Sequence, residues 1–257
     1  MAEVEYRVDG SVARVTINRP ERRNAMSLEV MTGLRDAFAR ARGDVTVRVV
    51  VLSGAGDRAF CSGADLSGMG GGGASDDHEA RGALADVFRA IWRLGKPVIA
   101  RVRGFALAGG FGLAMACDFV VASDDAQFGT PEINIGLWPY MITVPLLRSM
   151  PPRVALELMA TGRRVDADEA ARLGLVNRVV PADTLDAAVD ELAEMLASKS
   201  PLIMRWGRTS FYRALEMRAD EALDYLQAML TVNTLTDDFA EGIAAFTEKR
   251  APRWTGH

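Results

Sequence analysis

Histidine and cysteine are scarce in this chain, with two of each in 257 residues. Cys61 and Cys117 have no CxxC spacing, which excludes a zinc ribbon and a disulfide framework. His78 lies beside a glycine-rich stretch and His257 is the last residue, so neither a histidine-based triad nor a metal site is expected. GxSxG, HExxH and Walker patterns are also missing. No apolar run approaches the roughly 18 residues of a membrane span, so no membrane partner is expected. A basic excess is lacking too. The net charge of −4 argues against a nucleic-acid partner, while a few local Lys and Arg still suffice for a small anionic ligand. The opening "MAEVEYRVDGSVARV" carries early acids and no apolar core, unlike a signal peptide. The expectation is a soluble, cytoplasmic protein.

What is present is an α/β pattern. "VARVTIN" (12–18) alternates as a half-buried strand does, and "NRPERRNAM" breaks it as a turn at Pro20. Ser27 can cap a helix whose apolar face is Leu28, Met31, Leu34 and Phe38. "VRVVVLSG" (47–54) is a continuous apolar run ending in glycine, the mark of a buried strand. The same order recurs with a strand at 97–104, a small-residue helix at 109–117 and a strand at 118–123. Between them "SGMGGGGASDD" (67–77) reads as a flexible loop, either an exposed insertion or a flap over a site. Leu185, Val189, Leu192 and Leu196 have helical spacing, and 201–249 is mostly helix-compatible. The division is therefore an α/β core over 1–200 and a helical segment over 201–257.

A dinucleotide fingerprint fails after that recurring strand. From Gly110, "GFGLAM" has Met115 in place of the third glycine, and Asp118 is far short of the roughly 20-residue offset of a ribose-binding acid. Three other segments share a different feature: "AFCSGADLSGM" (59–69), "ARVRGFALAGGFGLAMACDFVVAS" (100–123) and "AQFGTPEINIGLWP" (126–139). Each sets small residues at a strand end, where backbone amides can approach a ligand. Two such amides from different loops can stabilise the oxygen of an enolate, about 3–4 kcal/mol per donor. Glu132, after Pro131 in a stiff turn, is then a candidate general base.

With "NRPERRNAM", "FCSGADL", "KPVIARVRGFALAGG", "CDFVVASDDAQFGTPEINIG" and "FTEKRAPRWTGH" in order, the chain resembles the crotonase (enoyl-CoA hydratase/isomerase) superfamily over nearly its whole length. The resemblance implies a spiral of ββα turns with a C-terminal helical trimerisation segment, assembled as a homotrimer or dimer of trimers. It implies an acyl-CoA thioester as substrate and no separate cofactor, coenzyme A entering with the substrate. Ala64 and Gly109 would donate the two oxyanion amides, and Glu132 would be the catalytic carboxylate. The Ala64-Asp65-Leu66 backbone would lie against the CoA, with Ser62 and Gly110 also among the substrate-contacting positions. Arg22 and Arg23 would stand near the CoA phosphates, although the residues alone read as a solvated turn. Phe246 and Lys249 would reach the CoA of an adjacent subunit, so 201–257 would also cover the CoA pocket.

Two departures from the family pattern bear on the reaction. Alkene hydration in this superfamily uses two glutamates around one water; Gly112 stands at the first position and Glu132 at the second. Where hydratases have a glycine after the proline of "GxxP", this chain has Tyr140. Trp138, Tyr140, Met141 and Phe111 are expected to form an apolar acyl pocket. One glutamate and an oxyanion hole still suffice to move a proton from the α- to the γ-carbon of a 3-enoyl thioester, so Δ3-Δ2 isomerisation is the favoured expectation. Hydration through Glu132 alone is the alternative, and a CoA-ester binding protein with little turnover a third.

Overall fold

The computed structural model describes residues 2–65 and 74–257. Strands β1 (Val4–Asp9) and β2 (Val12–Ile17) form an antiparallel hairpin, followed by a 3-10 turn at Pro20–Arg22 and helix α1 (Leu28–Gly43). Ser27 caps α1, its hydroxyl accepting from the Val30 amide at 3.1 Å. Leu34 and Phe38 are buried as the spacing predicts, but Leu28 at the first helical position is half exposed and Val30, Ala37 and Ala41 complete the inner face.

Three rounds follow in which the chain gives one strand to each of two sheets and then turns into helix. The first is β3 (Val49–Gly54), β4 (Ala59–Cys61) and α2 (Ala74–Trp92). The second is β5 (Val98–Val102), β6 (Phe105–Leu107) and α3 (Gly109–Ala116). The third is β7 (Phe119–Ser123), β8 (Gln127–Gly129), a 3-10 turn at Pro131–Ile135, and helices α4 (Thr143–Ser149) and α5 (Pro152–Thr161). Strand β9 (Arg164–Asp166), α6 (Ala167–Arg172), β10 (Arg178–Val180) and α7 (Leu185–Ala197) complete the core, and α8 (Pro201–Ala214), α9 (Ala219–Thr234) and α10 (Asp237–Glu248) end the chain. The larger sheet has the order β1-β2-β3-β5-β7-β10 and the smaller β4-β6-β8-β9. Within the smaller, β4, β6 and β8 are parallel, so their carboxyl ends lie side by side.

The unbroken apolar run of β3 has a direct cause. Val50 and Leu52 face the main core, while Val49 and Val51 face the second core made with Leu185, Ala188 and Val189 of α7. A strand covered on both faces needs no polar alternation. The C-terminal helices are fastened to this body by a buried ion pair. Arg208 of α8 donates from Nε to Asp118 at 2.8 Å and from its other two nitrogens to the Trp92 and Ile91 carbonyls, both at 2.9 Å. The 67–77 stretch read as a loop divides: residues 67–73 lie outside the described residues, whereas 74–77 open α2.

Candidate active site

The parallel ends of β4, β6 and β8 bring three short loops together. Ser62–Ala64 leaves β4, Ala108–Gly109 leaves β6, and Thr130–Glu132 leaves β8. They border a cleft of about 950 Å³ whose other walls come from α2 and from the 135–142 segment. Ligands in open α/β layers gather at such strand ends, because side chains and amides there converge without closing the space.

The first loop is held by an isolated bridge. The Met26 amide donates to Gly63 O at 2.8 Å and the Asp65 amide to Met26 O at 2.9 Å. The alternation of a strand leaves the Ala64 N–H on the opposite side, and it meets no acceptor among the described residues. In the second loop Ala108 has φ 51° and ψ −127°, a strained combination for a residue with a Cβ, costing about 1–3 kcal/mol. Three hydrogen bonds hold it: its amide donates to Gly129 O at 2.9 Å, and its carbonyl accepts from Phe111 and Gly112 at 3.0 and 3.1 Å. The turn leaves Gly109 as the first residue of α3, where its N–H likewise has no acceptor among the described residues and the helix end is electropositive. The two loops touch: a Cβ on Gly109 would lie 3.7 Å from the Ala64 nitrogen. The arrangement suits a partially negative oxygen.

The third loop carries the charge. Thr130 is fully buried and donates from its hydroxyl to Leu158 O at 2.9 Å, Pro131 fixes the first 3-10 residue, and Gly136 closes the turn in the left-handed conformation. Glu132 therefore stands on a short rigid element and borders the cleft. Its Oε2 is buried and has no hydrogen-bond partner among the described residues. Burial raises its pKa above the usual carboxylate range, opposed only by its own backbone amide. A partly desolvated carboxylate with a free lone pair is a competent proton acceptor.

Ser62, Ala64, Gly109, Glu132, Trp138 and Tyr140 are brought together around the cleft. Other expected positions stand elsewhere. Phe111 does not line the pocket; it is fully buried and packs on Phe128 at 5.6 Å between ring centres, because every residue of α3 is interior. Gly110 packs against the β4 end, where a Cβ would lie 2.1 Å from Cys61 O, and is not among the residues that line the cleft. Gly112 is also buried, against Ile142 and Phe88. Asp65 reaches away to Arg19 at 3.0 Å, in a network that continues to Glu3. Leu66 lies outside the described residues. Arg22 and Arg23 are exposed on the turn beside Ser62, whose amide donates to Arg23 O at 3.1 Å, and border the cleft at neither side chain. Buried Asn24 pins that turn through Ala55 O and Ala59 O at 2.9 and 2.7 Å. Phe246 on α10 is 85% exposed and Lys249 caps that helix; within the single chain neither borders the cleft.

One further wall of the cleft comes from α2. His78, Gly82, Ala85 and Arg89 of α2 line it. Their spacing of four, three and four is one helix face, a signal hidden by the adjoining glycine run. The Tyr140 amide is used internally, donating to Trp138 O at 2.8 Å.

The model of the family described as enoyl-CoA hydratase/isomerase matches residues 7–257. The chain belongs to this family. Carnitinyl-CoA dehydratase of Proteus mirabilis is 36% identical over 256 residues, covering 96% of each chain. Among solved structures, an enoyl-CoA hydratase of Mycobacterium smegmatis superposes with a TM-score of 0.94 at 36% identity, covering 98% of both chains. One from Bacillus anthracis gives 0.95 at 32% identity, covering 99% of this chain and 100% of that one. The two-sheet spiral is thus the crotonase fold of the enoyl-CoA hydratase/isomerase family.

Proposed function

We propose that this protein acts on an acyl-CoA thioester as a one-base Δ3-Δ2 enoyl isomerase. The observation that carries the reading is Glu132, the single carboxylate among the described residues bordering the cleft, half-desolvated and with Oε2 unpartnered. The Ala64 and Gly109 amides would receive the thioester oxygen. Glu132 would take the α-proton, breaking the C2–H bond and sending its electron pair into the enolate. As the C3=C4 bond moves to C2=C3, the protonated Glu132 would return the proton to C4. Because one group both accepts and donates, a raised pKa serves both halves of the cycle.

Hydration or dehydration through Glu132 alone is the second reading, favoured by the relatives named carnitinyl-CoA dehydratase. It would require water to be held without a carboxylate at position 112. A binding protein without turnover is the third outcome. Glu132→Gln separates enzyme from binder: turnover of 3-hexenoyl-CoA falls by about 10²–10⁴-fold with CoA-ester binding retained. Unchanged turnover in that variant refutes the proposal.

The oligomer is part of the same reading. Leu223, Leu230, Leu235 and Phe246 of the C-terminal segment are more than 60% exposed, an apolar surface suited to other copies of this chain. Sedimentation should give a trimer or dimer of trimers; a monomer at assay concentration contradicts this.

A further inference from the structure

Gly112 is fully buried in α3, beside the segment that walls the cleft. A Cβ built on Gly112 would lie 2.3 Å from Ile142 Cγ2, 2.6 Å from Ile142 Cβ and 3.3 Å from Phe88 Cζ. Rotation about χ1 could move the methyl group. It could not move the Cβ, which the backbone of residue 142 fixes, so alanine at 142 would collide as well. Ile142 itself is 2% exposed and sits at the start of α4, in the segment that walls the cleft beside Tyr140 and Met141. A side chain at 112 therefore requires either glycine at 142 or displacement of the start of α4 from α3. The two positions exclude each other sterically: a side chain at 112 and the Cβ at 142 cannot both be accommodated in this packing.

We propose that Ile142 is a specificity-determining residue: it fills the space that a side chain at 112 would need and makes this wall of the cleft hydrocarbon, so that no water is held there to attack C3 of the 2-enoyl ester and the dienolate takes its proton back from Glu132. This rests on the isomerase reading above. Ile142 and Phe88 present hydrocarbon and no hydrogen-bonding atom to the space beside Gly112. A water there would lack the two to four polar partners that buried waters require. The proton removed by Glu132 from C2 would then be the proton delivered to C4.

The test uses 3-hexenoyl-CoA carrying deuterium at both C2 positions, incubated with the full-length protein in ordinary water, with products separated and weighed by mass spectrometry. The wild type should give 2-hexenoyl-CoA with part of the transferred deuterium at C4. Ile142→Gly should lower that retention several-fold while Tm shows a folded protein, because water now reaches the protonated carboxyl. Adding Gly112→Glu to Ile142→Gly should yield 3-hydroxyhexanoyl-CoA from the 2-enoyl ester at a rate several-fold above the wild type, whereas Gly112→Glu alone should not. Should the double variant fail to fold, the label retention of Ile142→Gly decides. Isomerisation by the wild type with label retention unaffected in folded Ile142→Gly overturns the role of Ile142 and leaves the isomerase reading standing. Efficient hydration by the wild type overturns both.

Discussion

Replacing Asp118 by alanine tests how the helical segment is held to the catalytic body. Asp118 Oδ2 accepts from the Val98 amide at 2.7 Å and from Arg208 Nε at 2.8 Å, and Oδ1 accepts from the Tyr212 hydroxyl at 2.5 Å. The side chains of Arg208 and Asp118 are only 5% and 9% exposed. Burial and the neighbouring Asp118 charge push the Tyr212 hydroxyl pKa well up, so tyrosine stays a donor throughout the useful pH range. Removing the carboxylate leaves a desolvated guanidinium without its counter-charge, and breaking a buried pair in this way costs about 3–5 kcal/mol. For a chain of this size each kcal/mol moves Tm by about 2–4 °C, so Asp118→Ala should lose roughly 6–20 °C in a thermal melt. The double variant Asp118→Ala, Arg208→Met removes both charges and should recover part of that loss, the Val98 amide, Tyr212 hydroxyl and Trp92 and Ile91 carbonyls still lacking their partners. A shift under about 2 °C for the single variant, or no recovery in the double, would refute the account of the pair as the fastening of α8.

Three further outcomes follow from the site and its supports. Burial raises the folded pKa of Glu132 above its unfolded value, so the group favours folding only below the unfolded pKa and opposes it as pH rises through the folded one. Glu132→Gln should therefore raise Tm at pH 7 while abolishing turnover; the acid limb of the wild-type kcat/KM profile should fall above the usual carboxylate range, and a limb at an ordinary glutamate pKa contradicts the desolvation. Gly112→Ala should cost about 1–3 kcal/mol in denaturant unfolding through overpacking against Ile142; an unchanged midpoint means the helix pair yields freely. Asp238, 1% exposed, accepts from the Ser200 hydroxyl at 2.5 Å and the Thr255 amide at 2.7 Å, and so docks the C-terminal tail. Asp238→Ala should cost about 1–3 kcal/mol and open the tail to carboxypeptidase, measured by mass; an equally protected tail contradicts the dock.

The central strands were legible because a run such as "VRVVVLSG" has one physical use, a strand covered on both faces. The small residues at 62–64 and 108–110 and the proline before Glu132 marked tight turns at strand ends, but the roles of Ala64 and Gly109 were expected chiefly from the family resemblance. What escaped is contact between elements distant in the chain. Phe111 adjoins the glycines of the site, yet a helix interior on every side turns it to Phe128. Leu28 fits the periodicity of α1 but falls at the helix start, beyond the reach of the core. His78 and Arg89 lie on one face of α2 that only the folded arrangement points at the cleft. Ile142 carries no sequence signal at all: its meaning is its distance from Gly112.

The most direct measurement is product analysis of 3-hexenoyl-CoA and trans-2-hexenoyl-CoA incubated with the wild type in D2O, with chromatographic separation of the isomers and Glu132→Gln in parallel. One buried carboxylate and two amides predict conversion of the 3-enoyl to the 2-enoyl ester, no efficient water adduct from either, and loss of conversion in the variant. Efficient formation of 3-hydroxyhexanoyl-CoA from the 2-enoyl ester by the wild type would contradict the account.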